Sequence, residues 1–222
     1  MAQQRWRVTF TKGPQLKYIS HLDLSLAWER ALRRAGMPLA YSQGFNPQAR
    51  LQLASGLPLG YTSSAEILDV ILDDPLPADD LAARLRPALP PGLTVTAVEE
   101  VDLKSPPLQP ALRQAEYRVT VETALPAGEL VARIAALLAA DRLEQQRVRK
   151  QRAETFDLRP LVGDVRLEVA GGGHAVFWMR LSAGNRGNVR PEAVLTALGL
   201  GEAYAQVERT KLIFEFESTS EI

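Results

Sequence analysis

Between residues 5 and 11 apolar and polar side chains alternate, Trp6, Val8 and Phe10 against Arg7, Thr9 and Thr11, the period of two expected of a half-buried strand. Gly13 and Pro14 end it. Ser20 then stands at an N-cap with Asp23 three residues on, the arrangement of a capping box, and Leu24, Ala27, Trp28, Ala31 and Ala35 recur at helical spacing. The pattern predicts a helix whose polar arc carries Glu29, Arg30, Arg33 and Arg34, stopped by Gly36 and Pro38. Short extended pieces over 39–42 and 50–54 flank a turn at 43–47, and 56–60 reads as a second loop. A strand over 65–72, a helix over 78–89 and a strand over 93–101 complete the order β-α-β-β-α-β, the split βαβ or ferredoxin-like arrangement.

The same order then begins again. Residues 116–123 read as a strand, 126–143 as a strongly apolar helix, 147–160 and 163–170 as extended segments, and 175–182 as a strand. A helix over 191–198, with Pro191 tolerated in its first turn, and a strand over 206–217 close the pattern. The stretch Ser105-Pro-Pro-Leu-Gln-Pro110 between the rounds is proline-rich. The expected class is therefore α+β, with two ferredoxin-like (βαββαβ) domains in tandem. The N-terminal domain is placed at 1–104, a Pro-rich linker at 105–115 and the C-terminal domain at 116–222.

Composition narrows the chemistry. The chain of 222 residues has no cysteine, which excludes disulfides, thiolate nucleophiles, Cys-ligated zinc and Cys-ligated iron-sulfur clusters in this polypeptide. It holds no run of 18 or more apolar residues and no signal-peptide core near Met1, so a cytoplasmic protein without a membrane anchor is expected. Lys+Arg and Asp+Glu number 26 each, yet the zero is unevenly composed. Residues 1–50 carry eight basic side chains against Asp23 and Glu29, a balance of +6, whereas 51–104 carry nine acids against three basic residues, a balance of −6. Such segregation can give a neutral protein a positive face.

Five constellations are candidates for chemistry. At the start of the first helix, Ser20, His21 and Asp23 gather beside free backbone N–H groups, suiting either an anion site or a plain helix cap. Arg5, Arg7, Arg30, Arg33 and Arg34 can present guanidinium forks to phosphates or lie on a solvated face, and Lys17 precedes the helix start. In Tyr41-Ser-Gln-Gly-Phe-Asn-Pro47, followed by Arg50, Ser42, Gln43 and Asn46 can read donors and acceptors while Phe45 stacks on a base; a tight turn with a buried Phe is the alternative. A basic stretch, Arg142, Arg147, Arg149, Lys150 and Arg152, suits a solvated element or an arm on a phosphate backbone. Finally, Gly184-Asn-Arg-Gly-Asn-Val-Arg-Pro191 is a glycine-punctuated loop in which Arg186 and Arg190 can hold an anion. His21 and His174 lie in different expected domains without ligand-like spacing, so no metal and no cofactor are expected.

Several of these motifs together resemble a known family. Lys17-Tyr-Ile-Ser-His-Leu-Asp-Leu24, Arg30-Ala-Leu-Arg-Arg-Ala35, Tyr41-Ser-Gln-Gly-Phe-Asn-Pro47 and Leu57-Pro-Leu-Gly60 are similar to the motif series of the radical-SAM-linked domain of unknown function. Phe156-Asp-Leu-Arg159 and Asn188-Val-Arg-Pro191 resemble its C-terminal segments more loosely. The family is uncharacterised, and some members are fused to, or encoded beside, a cobalamin-binding radical SAM protein; association with genes for ribonuclease G and ribosomal proteins adds an RNA context. The resemblance implies an accessory role with a radical SAM protein as partner, and it carries over no catalytic residue. A chain without cysteine has no thiolates for a radical SAM cluster, so that chemistry would reside in the partner.

The expected function is a non-catalytic accessory module, RNA-binding, that acts with a radical SAM enzyme. Its nucleic-acid or phosphate contacts are expected at Arg5, Arg7, Lys17, Ser20, His21, Asp23, Arg30, Arg33, Arg34, Ser42, Gln43, Phe45, Asn46, Arg50, Arg186 and Arg190. The alternatives are a metal-independent endoribonuclease resembling CRISPR repeat-processing proteins, with His21 as general acid or base assisted by Lys17 or Tyr18, and a protein–protein scaffold docking through the acidic segment 51–104.

Overall fold

The computed structural model describes residues 3–149 and 152–216, and it is α+β. The chain divides into two units, one formed by 1–112 with 214–222 and the other by 113–213.

In the first unit, strand β1 (Gln4–Lys12) leads through a short 3-10 turn to helix α1 (His21–Arg34), then to β2 (Leu51–Leu53), β3 (Thr62–Leu72), helix α2 (Ala78–Leu85) and β4 (Leu93–Val101). The strands lie in the order β4-β1-β3-β2 and every neighbouring pair is antiparallel. Alternation along β1 sends Trp6, Val8 and Phe10 into the core, where they meet Leu24, Trp28 and Leu32 of α1 and Leu81 and Leu85 of α2. Phe10 and Trp28 touch edge to face with centroids 4.7 Å apart. Helix α1 stops as its sequence dictates: Gly36 takes φ +66° and donates to Arg33 O, while Met37 N donates to Leu32 O, the paired bonds of a glycine-terminated helix.

The opposite alternation places Arg5 and Arg7 on the other face of β1, across from Asp69 on β3. Arg5 donates to Asp69 Oδ2 through Nε at 3.1 Å and again through Nη2, and Arg7 donates to Oδ1 at 2.9 Å and Oδ2 at 3.1 Å. Arg5 also donates to the carbonyls of Ser105 and Pro106. The segment expected as a linker is thereby tied down. It contains helix α3 (Leu108–Ala111), whose Leu108 and Ala111 are buried; Gln109 Nε2 donates to Leu53 O at 3.1 Å, and the next strand already starts at Leu112. Proline richness here marks a packed, turn-rich connection rather than a free tether.

The second unit comprises β5 (Leu112–Glu122), helix α4 (Ala127–Ala139), β6 (Glu144–Arg149), β7 (Arg152–Asp157), β8 (Val162–Gly171), β9 (His174–Ser182), helix α5 (Pro191–Ala197) and β10 (Ala205–Phe214). Its main sheet runs β10-β5-β9-β8, and Tyr117, Val119, Phe177, Met179 and Leu181 fill its core with Leu130, Ile134 and Leu137 of α4. Two expectations change here. Helix α4 ends at Ala139 instead of continuing to 143, because Leu143 N donates to Asp157 Oδ1 at 2.8 Å and Leu143 O accepts from Leu158 N at 2.7 Å, which draws the chain into extended pairing. What read as a single extended segment over 147–160 covers the end of β6 and all of β7, which pair with each other as a separate two-stranded sheet.

Asp69 is 4% exposed between two cations, so removing its carboxylate strands both guanidiniums. Asp69→Ala is expected to lower the unfolding free energy by about 3–5 kcal/mol in urea titrations, and Arg7→Ala, which leaves the Arg5–Asp69 pair intact, by clearly less.

Candidate functional site

The start of α1 is a cap. Ser20 Oγ accepts from Asp23 N at 3.1 Å and donates to Asp23 Oδ2 at 2.7 Å, and that same oxygen accepts from Ser20 N at 3.3 Å. Both side chains are thus engaged with each other. His21, at the first helical position, is half-buried against Gly56, and its Nδ1 is buried with no hydrogen-bond partner among the described residues. Lys17 Nζ sits over the Tyr18 ring, 4.9 Å from its centroid. No described residue shares a hydrogen bond with His21 Nδ1, so a proton relay through that nitrogen has no partner here.

Two of the eight arginines expected to face phosphate, Arg5 and Arg7, are engaged within the fold instead. Arg5 is 7% exposed and Arg7 lies between Asp69 and the Phe216 ring, so both are committed to holding the sheet. Arg30, Arg33 and Arg34 are exposed on α1. Arg30 has no partner among the described residues. Arg33 pairs with Glu29 at 3.2 Å, donates to the Tyr41 hydroxyl at 3.0 Å and lies over the Tyr41 ring; that hydrogen bond is the main cause raising its pKa above the usual value. Arg34 donates to Ala88 O at 2.7 Å, a bond to a neutral carbonyl that leaves its charge uncompensated.

Loop 41–50 is built to present its tip. Ser42 N donates to Gln48 O at 2.8 Å and Gln48 N to Ser42 Oγ at 3.0 Å, and Tyr41 pairs with Ala49, which closes the base. Gly44 adopts φ +129°, a conformation costly for any other residue. Ser42, Gln43, Phe45 and Asn46 are all exposed, and Phe45 is the most exposed large apolar side chain among the described residues. The alternative of a turn with a buried Phe is excluded. Behind this loop, Ser42, Gln48, Arg50 and Gln52 line a cavity of about 430 Å³ whose floor holds Arg5 and Asp69. Arg50 donates to Gln3 Oε1 at 3.1 Å.

The second unit holds a larger cavity, about 640 Å³, enclosed by Phe156, Asp157, Leu161 and the whole of loop 184–188. The two C-terminal motifs, some 30 residues apart in sequence, thus meet at one place. Gly187 is closely packed: a Cβ there would lie 3.0 Å from Leu161 Cδ2, so a side chain would have to push that methyl aside. Asp157 Oδ1 accepts from Leu143 N at 2.8 Å and Arg159 N at 3.1 Å, and these backbone bonds, Leu143's first, hold its pKa below the usual carboxylate value. Arg186 stands on the loop, whereas Arg190 is the residue just before α5, exposed and making no side-chain cap bond. In the basic stretch, Arg142 pairs with Glu144 at 2.7 Å; Lys150 and the side chains of Arg147, Arg149 and Arg152 fall outside the described residues.

Sequence reading missed Asp157, Phe156 and Leu161 as cavity walls. The signal available for Phe156 and Asp157 was the Phe156-Asp-Leu-Arg159 motif, which the sequence offered only as a family resemblance. Among the described residues no group of three His, Asp or Glu is gathered for a metal ion, and no helix is long and apolar enough to cross a membrane.

The family model for uncharacterised proteins conserved in bacteria (DUF2344) matches residues 5–191, and the chain belongs to that family. No curated protein matches it. Among solved structures, the crystal structure of a Cbf5-Nop10-Gar1 complex is similar over 93% of this chain and 48% of that one, with TM-score 0.51 and 13% identity. A structure of an H/ACA RNP bound to a substrate RNA containing 2'-deoxyuridine is similar over 93% of this chain and 47% of that one, with TM-score 0.47 and 11% identity. The chain spans about half the length of these structures, and at 13% identity the likeness to the first is one of fold.

Because backbone N–H groups favour ionised Asp157, its contribution to stability is complete above the pKa it has when unfolded and is lost as pH falls through the lowered folded value. The urea midpoint difference between wild type and Asp157→Ala is accordingly expected to be larger at about pH 7 than at about pH 3.

Proposed function

We propose that this member of an uncharacterised bacterial family is a non-catalytic module that binds single-stranded RNA through loop 41–50 and the exposed face of α1. The observation that carries the reading is Phe45, fully exposed at the tip of a loop whose base is hydrogen-bonded shut. Leaving such a ring in water forgoes about 1.5–3 kcal/mol of burial, which a stacked base returns at about 1–3 kcal/mol. Arg33 and Arg34 at one side and Arg50 at the other supply charge for the phosphates, and the amides of Gln43 and Asn46 supply donors and acceptors for base edges.

The strand order 4-1-3-2 in each unit supports two ferredoxin-like domains in tandem. The radical SAM partner belongs to the same proposal: it rests on the motif resemblance and on the absence of cysteine, which leaves any thiolate-held cluster to another polypeptide. Tyr18, Leu22 and Leu59 are exposed apolar residues around the start of α1, and we assign them to that partner.

Fluorescence anisotropy with a labelled single-stranded RNA tests the RNA contact. Phe45→Ala is expected to weaken binding about 5- to 150-fold, and joint reversal of Arg30, Arg33 and Arg34 to Glu to abolish it; restoring them one at a time should steepen the salt dependence by roughly 0.7 per phosphate contact. Binding indifferent to both changes overturns the proposal. His21→Ala is expected to leave the RNA intact and bound, whereas RNA cleavage that disappears with His21 would make the protein a nuclease.

A further inference from the structure

We infer that the 640 Å³ cavity of the second unit is a guanine pocket, taking guanine as a free nucleotide or as a residue of RNA; only the second source rests on the RNA-binding reading. Its size lies within the range of sites that hold drug-sized ligands. Its walls divide by chemistry. Phe156 and Leu161 offer an aromatic and an aliphatic surface for a base. Asn185 and Asn188 face the cavity with side-chain amides that have no partner among the described residues, and Arg186 adds positive charge on the same loop.

Asp157 selects the base. Its Oδ1 is filled by two backbone N–H groups, from Leu143 and Arg159, which fix the plane of the carboxylate. Its Oδ2 accepts no hydrogen bond among the described residues. That oxygen has two lone pairs to offer and no proton to give, so it calls for two N–H donors side by side. Among the four common bases guanine alone presents such a pair, N1–H beside the 2-amino group; adenine, cytosine and uracil set a donor next to an acceptor on that edge.

Calorimetric titration of the full chain with guanosine and inosine monophosphates tests this, because inosine lacks only the 2-amino group. Wild type is expected to favour the guanosine nucleotide about tenfold, one hydrogen bond to a charged acceptor. Asp157→Asn keeps a carbonyl oxygen for Leu143 and Arg159 but turns the free oxygen into a donor; it is expected to bring that ratio to about one, with a melting temperature below that of wild type because the charge those N–H groups favour is gone, and a cooperative unfolding transition that shows the fold retained. Phe45→Ala is expected to leave the mononucleotide titration unaltered, so failure of the RNA reading and failure of this one are distinguishable. Pentamer RNAs with a single central guanosine or inosine report whether RNA supplies the base. No binding of the guanosine nucleotide, equal binding of both nucleotides by wild type, or an unchanged ratio in Asp157→Asn overturns the inference.

Discussion

Asp69, a buried carboxylate, ties the two central strands of the first unit together. A buried carboxylate costs several kcal/mol to desolvate and is tolerated only when opposite charge and hydrogen bonds surround it. Here two guanidiniums, from Arg5 and Arg7, fill its oxygens with four bonds across the β1–β3 pair. Arg5 then spends its remaining donors on the carbonyls of Ser105 and Pro106, so one ionic cluster fixes both the register of the central strands and the path by which the chain leaves the first sheet. The trade also reshapes the surface. Two of the eight cations in residues 1–50 are removed from any partner, and Lys12 is buried as well, donating to Lys17 O and Tyr61 O. What solvent meets in that segment is Lys17, Arg30, Arg33, Arg34 and Arg50 against Asp23 and Glu29, a smaller excess concentrated on α1 and the loop that follows it.

That redistribution separates residues that looked equivalent in the sequence. Arginines two apart on a strand and arginines three or four apart on a helix have the same composition but different fates. The strand pair meets a carboxylate at hydrogen-bond distance, while the helix set lies on an exposed face with one acid, Glu29, among them. Exposed pairs of that kind are worth at most about 1 kcal/mol, so Arg33 loses little by exchanging Glu29 for a phosphate.

The backbone order was legible because period, caps and punctuation agree in this chain. Ser20 with Asp23 formed the box that their spacing called for, and Gly36 terminated α1 in the conformation only glycine adopts freely. The hairpin β6–β7 was not legible as a hairpin. Glu144-Gln-Gln-Arg147 has no apolar alternation, since a two-stranded ribbon away from the main sheet has little core to bury. Nor could the sequence separate Arg5 from Arg30: burial of a cation depends on where Asp69, 64 residues away, lands after folding. Phe45 was ambiguous for a related reason. An aromatic in a polar turn is equally compatible with an anchor and a lure, and only its full exposure decides.

The two units answer the same topological problem with different chemistry. In both, the chain between the first helix and the second strand of the sheet departs from the plain fold: loop 41–50 in the first unit, hairpin β6–β7 in the second. In both, a cavity opens against that insertion. The connection from the third strand to the second helix then differs in sign. It reads Asp73-Asp74-Pro-Leu-Pro77 in the first unit and carries Arg186 and Arg190 in the second. The acidic version belongs to the segment whose balance is −6, and it contributes no lining to the first cavity; its basic counterpart forms a wall of the second. In a chain of zero net charge, the two units thus carry connections of opposite sign at the same point of the strand order.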